Sequence, residues 1–224
     1  MLSDAMEDYL KAIYVLEREE GAPVSTSAVA EYLDKTSPTV TSMMEKLADR
    51  GLIDREKYRG VELTEEGRTV ALEVIRHHRL LEAYLAEHLD FDWSEVHDEA
   101  DTLEHHISEA LERRMADALG DPAVDPHGDP IPKESLDPVD EEAGDRLSSF
   151  AAGDRVVVSR VSDRDQAELD YLAEAGVMPG TELEIADVAP FGMVTVRLDD
   201  GDEQSLPEEV ADAIRVRRIA DEVV

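Results

Sequence analysis

Seven carboxylate and histidine side chains have the types and spacing needed to bind a cation. They are Asp8, His78, Glu82, His97, Asp101, Glu104 and His105. The last four are spaced i, i+4, i+7 and i+8, so one continuous helix would present them on a single face. His78 and Glu82 are one turn apart on a preceding segment, and Asp8 adjoins an apolar stripe. Burying so many ionisable groups is costly unless a cation neutralises them, so the pattern predicts a divalent metal site.

A solvated surface charge is the alternative explanation for any single member of this set, above all for Asp8. The whole set is harder to explain in that way, because most of the seven histidines lie between His77 and His106. The sequence contains no cysteine, so oxygen and imidazole must supply the ligands. Such ligands favour the harder ions manganese and iron(II).

The net charge of −33 is spread over nearly the whole chain, which has 55 acidic and 22 basic residues. Such a distribution is typical of proteins from organisms that keep molar salt in the cytoplasm; an acidic effector tail is the alternative. One sizeable window escapes the acidity. Between Lys35 and Gly60, six basic and four acidic residues give a local charge of +2. Because phosphate affinity comes mainly from lysine and arginine, this window is where DNA would bind.

Helical and strand patterns predict a winged helix-turn-helix over residues 1–64. A first helix covers Asp4 to Glu19, Ser25 caps a second that runs to Leu33, and Ser37-Pro38 opens a third that ends near Arg50. Two short alternating runs then form a hairpin on either side of Lys57-Tyr-Arg-Gly.

The remainder of the sequence predicts two further domains. Residues 65–145 contain helical segments from Glu65 to Leu89 and from Ser94 to Leu119, with a short helix between them. A proline-rich linker from Gly120 to Asp145 follows. Residues 146–224 hold four short β-runs and a helix from Asp165 to Ala175, typical of an SH3-like barrel. The predicted fold class is mainly α with a small β domain.

The second helix of a helix-turn-helix reads the major groove with its N-terminal residues. The predicted base-reading residues are therefore Thr36, Ser37, Pro38, Thr39, Thr41 and Ser42. Lys46, Lys57 and Arg59 are placed to contact phosphates. A winged helix used for protein contacts is the alternative.

The sequence gives less support to other functional classes. No His-Glu-x-x-His spacing or nucleophile motif is present, so we do not expect an enzyme. No stretch of 18 apolar residues and no signal peptide occurs, which predicts a cytoplasmic protein without membrane contact. A winged-helix regulator that does not depend on metal is the remaining alternative.

Eight short motifs together resemble the diphtheria-toxin-repressor family of iron- and manganese-dependent repressors, over essentially the whole chain. They are Tyr9-Leu-Lys-Ala-Ile-Tyr, Ser37-Pro-Thr-Val-Thr, Lys57-Tyr-Arg-Gly-Val, Leu63-Thr-Glu-Glu-Gly, His78-Arg-Leu-Leu-Glu, Val96-His-Asp-Glu-Ala-Asp, Glu104-His-His and Pro126-His-Gly-Asp-Pro-Ile-Pro.

The resemblance implies two metal sites. The primary site would comprise Asp8, Asp101, Glu104 and His105, with the backbone carbonyl of Asp101 as a further ligand. The ancillary site would comprise His78, Glu82 and His97, completed by Asp165 and Glu168, for which Asp163 or Gln166 could substitute. Since His105 must lose its proton to bind metal, the response should weaken below a pH of about 6.

The resemblance also implies a homodimer that binds double-stranded operator DNA when loaded with metal and represses metal-uptake genes. Carboxylates at Asp8 and Asp101 are similar to the manganese-type members and favour Mn²⁺. Lys11 stands where those members have a second acid, and an SH3-like domain is typical of the iron branch. Fe²⁺ therefore remains the alternative cofactor.

Overall fold

The computed structural model of the chain describes residues 2–56, 59–137, 144–190 and 192–219. Lys57, one of the predicted phosphate contacts, lies outside these residues. The chain forms two compact units. Unit 1 comprises Met1–His78, Thr102–Ser108 and Pro132–Val139, and unit 2 comprises Arg79–Asp101, Glu109–Ile131 and Asp140–Val224.

The N-terminal part of unit 1 is the predicted winged helix-turn-helix. Its elements in order are α1 (Asp4–Glu20), α2 (Thr26–Tyr32), α3 (Ser37–Asp49), β1 (Ile53–Glu56) and β2 (Gly60–Leu63). The Ser25 hydroxyl accepts a hydrogen bond from the Ala28 amide and so begins α2 as predicted. The strands pair antiparallel, with Ile53 opposite Leu63.

A single apolar core holds α1 against α3. Leu10 and Ile13 of α1 and Val40 and Leu47 of α3 are fully buried in the same cluster. Because the side chains of both helices interlock there, a displacement of α1 must also displace α3.

The far end of α1 is fixed to the wing by a buried carboxylate. Glu17 Oε1 accepts a 2.6 Å hydrogen bond from the Leu63 amide of β2. The other oxygen of Glu17 pairs with Arg68 at 2.9 Å. One side chain therefore joins α1, β2 and the start of the next helix.

Three helices follow the wing: α4 (Glu65–Leu89), α5 (Val96–Leu103) and α6 (Glu109–Leu119). The prediction of one continuous helix from Ser94 to Leu119 is wrong, since the chain leaves the helix after Leu103. The His106 amide closes a turn onto the Leu103 carbonyl. Ser108, a residue type that favours helix starts, stands before α6. Glu104 and His105 consequently lie in a turn and not on the helical face predicted for them.

The segment after α6 is ordered where its composition predicts a linker. The Asp125 carboxylate accepts hydrogen bonds of 2.9 Å from both the His127 and Asp129 amides. Such a side-chain turn lets a proline-rich segment close on itself. Asp125, His127 and Asp129 are all buried. The carbonyl of His127 accepts a hydrogen bond from the Val161 amide, which fixes the turn to the C-terminal sheet.

The C-terminal part of unit 2 is a six-stranded antiparallel sheet around an apolar core, in agreement with the predicted SH3-like fold. The strands are β3 (Asp145–Arg146), β4 (Arg155–Val161), β5 (Glu182–Val188), β6 (Val194–Leu198), β7 (Glu203–Leu206) and β8 (Ile214–Arg218). They lie in the order β3-β8-β4-β5-β6-β7. Helices α7 (Gln166–Glu174) and α8 (Glu208–Ala213) complete it, and among the described residues no helix combines the length and apolarity that crossing a membrane requires.

Replacing Gly128 should destabilise unit 2 much more than replacing Gly153. Both have a φ near +90°, so alanine is strained by about 1 to 3 kcal/mol at either position. A Cβ at Gly128 would lie 2.1 Å from the Ser159 carbonyl oxygen, whereas one at Gly153 meets no atom within 4 Å. Thermal unfolding of Gly128→Ala and Gly153→Ala would test this. Equal melting temperatures would show that the close approach of the 123–131 turn to β4 is not a constraint.

Candidate functional site

Three of the predicted primary ligands converge in unit 1. Donor atoms of Asp8, Glu104 and His105 all lie within 4.8 Å of one another. His105 Nε2 is 2.8 Å from Asp8 Oδ1 and 3.4 Å from Glu104 Oε1. Asp8 comes from α1, while the other two come from the turn after α5. The site therefore joins the helix-turn-helix to a segment almost a hundred residues later.

The two carboxylate ligands differ in burial. Glu104 is almost fully buried, and its backbone carbonyl is hydrogen-bonded to His77 Nδ1 at 3.1 Å. Asp8 has a side chain that is 48% exposed. Glu104 is thus held inside the protein, whereas Asp8 lies at the surface, where an ion could enter.

Outer contacts orient the ligands. The Glu7 carboxylate lies 2.7 Å from His105 Nδ1, which leaves Nε2 directed at Asp8 and Glu104. Such a carboxylate behind a ligating imidazole fixes the ring and raises its basicity. On the other side, Glu104 Oε2 contacts Lys11 Nζ at 2.8 Å and His78 Nδ1 at 2.6 Å.

The protonation equilibria of the cluster reflect its charge. Burial raises the pKa of Asp8, although the neighbouring His105 opposes this. Burial alone would lower the pKa of His105, but the hydrogen bond with Glu7 and the charges of Glu104 and Asp8 raise it above its ordinary value. Burial works to raise the pKa of Glu104, yet contacts with His78 and Lys11 hold it below its ordinary value.

This donor set fits a hard divalent cation. Two carboxylates and one imidazole meet, and no thiolate is present, a combination that suits Mn²⁺ and Fe²⁺. The fourth predicted primary ligand, Asp101, belongs to unit 2. It lies in the last turn of α5, where its Oδ2 is 3.7 Å from His97 Nε2.

A second group of donors gathers in unit 2 around Glu82, which is fully buried. His97 Nδ1 lies 3.3 Å from Glu82 Oε1 and 3.1 Å from Asp163 Oδ2. The C-terminal side chain that reaches this group is thus Asp163, the alternative considered for the ancillary site.

Asp165 and Glu168, the first choices for that role, are placed elsewhere. Asp165 Oδ1 caps α7 by accepting hydrogen bonds from the Ala167 and Glu168 amides. The pKa of Glu168 is raised by partial burial and by the nearby Asp165. A carboxylate that already satisfies a helix start has less to offer a cation.

Sequence reasoning missed two members of this region, Asp125 and His127. Donor atoms of Glu82, Asp125 and His127 lie within 4.8 Å of one another, and all three residues are buried. His127 Nε2 lies 3.0 Å from the Trp93 carbonyl, so this nitrogen donates the hydrogen bond. Its Nδ1 has no hydrogen-bond partner among the described residues and is 3.7 Å from Glu82 Oε1.

Asp125, like His127, has a buried polar atom that makes no hydrogen bond with the described residues. Its Oδ2 lacks a hydrogen-bond partner among the described residues, and its closest cation is the Arg79 guanidinium at 3.8 Å. Burial, with the charges of Glu82 and Asp129, raises its pKa well above the ordinary value. Buried imidazole and carboxylate atoms without partners are costly, and a metal ion would satisfy both. The detectable signal was the Asp-Pro-His-Gly-Asp sequence inside the supposed linker.

The predicted DNA-reading residues lie together at the start of α3. Thr36, Ser37, Pro38, Thr39 and Ser42 are exposed and Thr41 is half-buried, while Val40 and Met44 on the opposite face are buried. The Thr36 and Thr39 hydroxyls are 2.9 Å apart. Lys46 and Arg59 are also exposed. The helix therefore has an outward face of hydroxyl groups with basic residues nearby.

Comparison with known proteins assigns the class. Residues 1–61 match the iron-dependent repressor N-terminal DNA-binding domain, residues 64–133 match the metal-binding and dimerisation domain of such repressors, and residues 146–218 match the FeoA domain. The class defined by the fold and the site is therefore that of metal-dependent DNA-binding repressors.

Individual relatives agree over the full length. The iron-dependent repressor IdeR of Mycobacterium tuberculosis is 36% identical over 97% of this chain and 99% of its own. The diphtheria toxin repressor of Corynebacterium glutamicum is 34% identical over 97% and 98%. A solved manganese-dependent transcriptional repressor in complex with manganese has a TM-score of 0.87 and 37% identity, over 96% of this chain and all of that one. The chain belongs to the diphtheria-toxin-repressor family of metal-dependent transcriptional repressors.

Metal affinity in unit 1 should continue to rise with pH beyond the ordinary histidine pKa of about 6.5 before it levels off, which is higher than the pH of about 6 expected from the sequence alone. The raised pKa of His105 means that the metal-free fold holds this proton, and its stabilising effect is present at low pH and is lost as pH rises through the folded pKa. Metal competes with the proton, so affinity should increase by about tenfold per pH unit until His105 is neutral. Calorimetric titration of Mn²⁺ between pH 6 and 8.5 measures this.

Glu7→Gln provides the matched control for that prediction. The amide still accepts from His105 Nδ1 but carries no charge, so the affinity should level off at a lower pH than in the wild type. An affinity independent of pH from 6 to 8, in both proteins, would exclude His105 as a ligand.

Proposed function

We propose that this protein represses metal-uptake genes by binding operator DNA as a homodimer when its sites hold Mn²⁺. The observation that carries the proposal is the meeting of Asp8 on α1 with Glu104 and His105 on the turn after α5. Metal binding there would be linked to the position of α1. Because α1 shares its apolar core with α3, it would also be linked to the position of the DNA-reading helix. A transcriptional regulator of this kind would work in the cytoplasm and would catalyse no reaction.

The mechanism follows from the residues around the site. Without a cation, the carboxylates of Asp8 and Glu104 repel each other, and a proton on His105 compensates only part of that charge. Asp8, Glu104 and His105 would hold a divalent ion, whose positive charge would allow the three groups to stay together. Asp8 then holds α1 against the turn, and α1 holds α3 through Leu10, Ile13 and Val40.

Coupling between the two ligands must be reciprocal. If the arrangement of α1 and α3 that binds DNA is also the one in which the three donors converge, DNA must tighten metal binding by the same factor as metal tightens DNA binding. The exposed hydroxyl face of α3 would read bases, and Lys46 and Arg59 would contact phosphates.

The donors that meet in unit 1, two carboxylates and an imidazole, suit both ions, and we prefer Mn²⁺ because carboxylates at Asp8 and Asp101 resemble the manganese-type members. A manganese-dependent repressor with 37% identity also shares the fold, with a TM-score of 0.87. Fe²⁺ is the second candidate, since full-length relatives at 36% identity are named iron-dependent repressors.

The donors of unit 2 would form the ancillary centre. We infer that Glu82 is its central ligand, with Asp125 and His127 from the ordered turn and with His97 and Asp163 beside them. A firmly held ion there is supported by the burial of Asp125 and His127 and by the lack, among the residues that the structure describes, of a hydrogen-bond partner for Asp125 Oδ2 and His127 Nδ1. Such an ion would stabilise unit 2 more than it would sense a changing concentration.

Dimerisation would use the apolar surface of unit 2. Leu89, Phe91 and Leu111 are large apolar side chains with 36 to 54% of their surface exposed. Exposed apolar groups of this size are common where subunits associate. Two copies related by a two-fold axis would present two α3 helices to a two-fold operator.

Asp8→Ala should abolish metal-dependent DNA binding while Asp4→Ala should not. Both acids are on α1, but only Asp8 reaches His105, at 2.8 Å, and Asp4 is exposed. We expect Mn²⁺ to raise the affinity of the wild type and Asp4→Ala for a selected operator by at least about tenfold, or roughly 1.4 kcal/mol. Fluorescence anisotropy with Mn²⁺, Fe²⁺, Zn²⁺ and Co²⁺ under anaerobic conditions measures the effect.

Two results would overturn the proposal. A wild type whose DNA affinity changes by less than about threefold with every metal would have too little coupling to act as a metal sensor. DNA binding that is equal in a chelator and in Asp8→Ala would favour a winged-helix regulator that does not depend on metal.

His127→Ala should lose one bound metal ion per subunit, and His88→Ala should lose none. His127 is fully buried beside Glu82, whereas His88 is exposed and contacts Tyr84. The variant should also lose most of the rise in melting temperature that Mn²⁺ gives the wild type. Metal analysis after dialysis, together with thermal unfolding, tests both points. If His127→Ala retained the full metal content, the ancillary centre would have to be assigned to other residues.

A further inference from the structure

Lys11 directs its ammonium group into the interior of the unit 1 site. It lies one turn after Asp8 on α1, and its side chain is only 18% exposed. Nζ is 2.8 Å from Glu104 Oε2 and 3.0 Å from His78 Nδ1. A carboxylate oxygen and an imidazole nitrogen are ligands that a divalent ion would use. Here a cation that belongs to the chain contacts both of these atoms.

Glu104 divides its two oxygen atoms between two cation positions. Oε1 is 3.4 Å from His105 Nε2, on the side where Asp8 also lies. Oε2 is held by Lys11 and His78. Because Glu104 is buried, it has little freedom to turn both oxygens toward Asp8. Only one of them remains for the divalent ion of the proposed primary site.

The ammonium group is well suited to this position. It has three N–H donors and no acceptor, so Glu104 Oε2 can accept a hydrogen bond from it, while His78 Nδ1 donates a second one to the same oxygen at 2.6 Å. Its charge is fixed to α1 by a covalent chain and does not depend on the concentration of metal. A second divalent ion at the same place would have to approach this positive charge closely without screening by water.

We propose that Lys11 is a tethered cation that replaces a second divalent ion and limits the unit 1 site to one metal. The inference rests on the proposed metal-binding function of Asp8, Glu104 and His105. In this role Lys11 is a positioning residue: it orients Glu104 and sets the number of ions, and it does not itself bind metal.

Lys11→Glu tests this by reversing the charge. The variant should bind one more Mn²⁺ per subunit than the wild type. Its electron paramagnetic resonance spectrum should also gain a signal from two exchange-coupled Mn²⁺ ions that share the Glu104 carboxylate. The full-length protein is used throughout. Lys133→Glu, an exposed position with the same change in charge, should match the wild type in both measurements.

Three results would overturn the role of Lys11 or the function on which it rests. A folded Lys11→Glu protein with the metal content of the wild type and no new coupled signal would overturn the role of Lys11. An equal gain in Lys133→Glu would also overturn it, by showing that total charge alone is responsible. A wild type that binds no Mn²⁺ would overturn the proposed function, and the inference would fall with it.

Lys11→Met provides a second measurement that does not require a new site. Loss of the ammonium leaves Glu104 Oε2 without its fixed positive charge, so the metal-free protein should unfold at a lower temperature. Saturation with Mn²⁺ should then raise the melting temperature by more than it does in the wild type. An equal rise in both proteins would contradict the role of Lys11 as a compensating cation.

Discussion

Repulsion among buried acidic groups is the constraint on which the rest of this structure depends. A chain with a net charge of −33 nevertheless buries Glu82, Glu104, Asp125 and Asp129 inside its two units. Each buried carboxylate needs a cation, a proton or several hydrogen-bond donors. Where lysine and arginine provide this, the fold is complete by itself. Where no lysine or arginine pairs with a buried carboxylate, the stability of the fold depends on the binding of a cation.

The two units meet this constraint in different ways. In unit 1, Lys11 partly compensates the carboxylates, the raised pKa of His105 favours its charged form, and the half-exposed Asp8 gives access from solvent. Such a site can gain and lose an ion. In unit 2, Arg79 and Arg160 pair with Asp129 at 2.8 and 2.7 Å, but one buried atom of Asp125 and one of His127 have no hydrogen-bond partner within the described part of the chain. That arrangement suits retention of an ion and not exchange.

Local patterns in the sequence predicted the winged helix, the SH3-like sheet and most of the residues that gather in unit 1. Helix starts and apolar periodicity are properties of neighbouring residues, so α1, α3 and β4 could be placed without the structure. The break at Leu103 could not, because Glu104 lies outside the helix owing to partners on α1 and α4. The sequence likewise could not distinguish Asp163 from Asp165 as a ligand, because only the folded chain brings Asp163 close to His97. His127 was not predicted because the composition of its segment is typical of a linker.

Helix α1 has a function at each end. Asp8 lies near its start, and Glu17, about 14 Å further along, is bonded to the wing strand β2 and to Arg68. The candidate metal site and the wing are therefore joined by one continuous helix, with no break in it at which the two could be adjusted separately. In a genetic screen for lost repression, changes at Glu17 would therefore be expected to have the same phenotype as loss of a metal ligand, although Glu17 is neither a proposed metal ligand nor a proposed DNA contact. The same linkage would affect the evolution of binding to a new operator. A substitution that alters the wing would also alter the metal concentration at which the protein binds DNA.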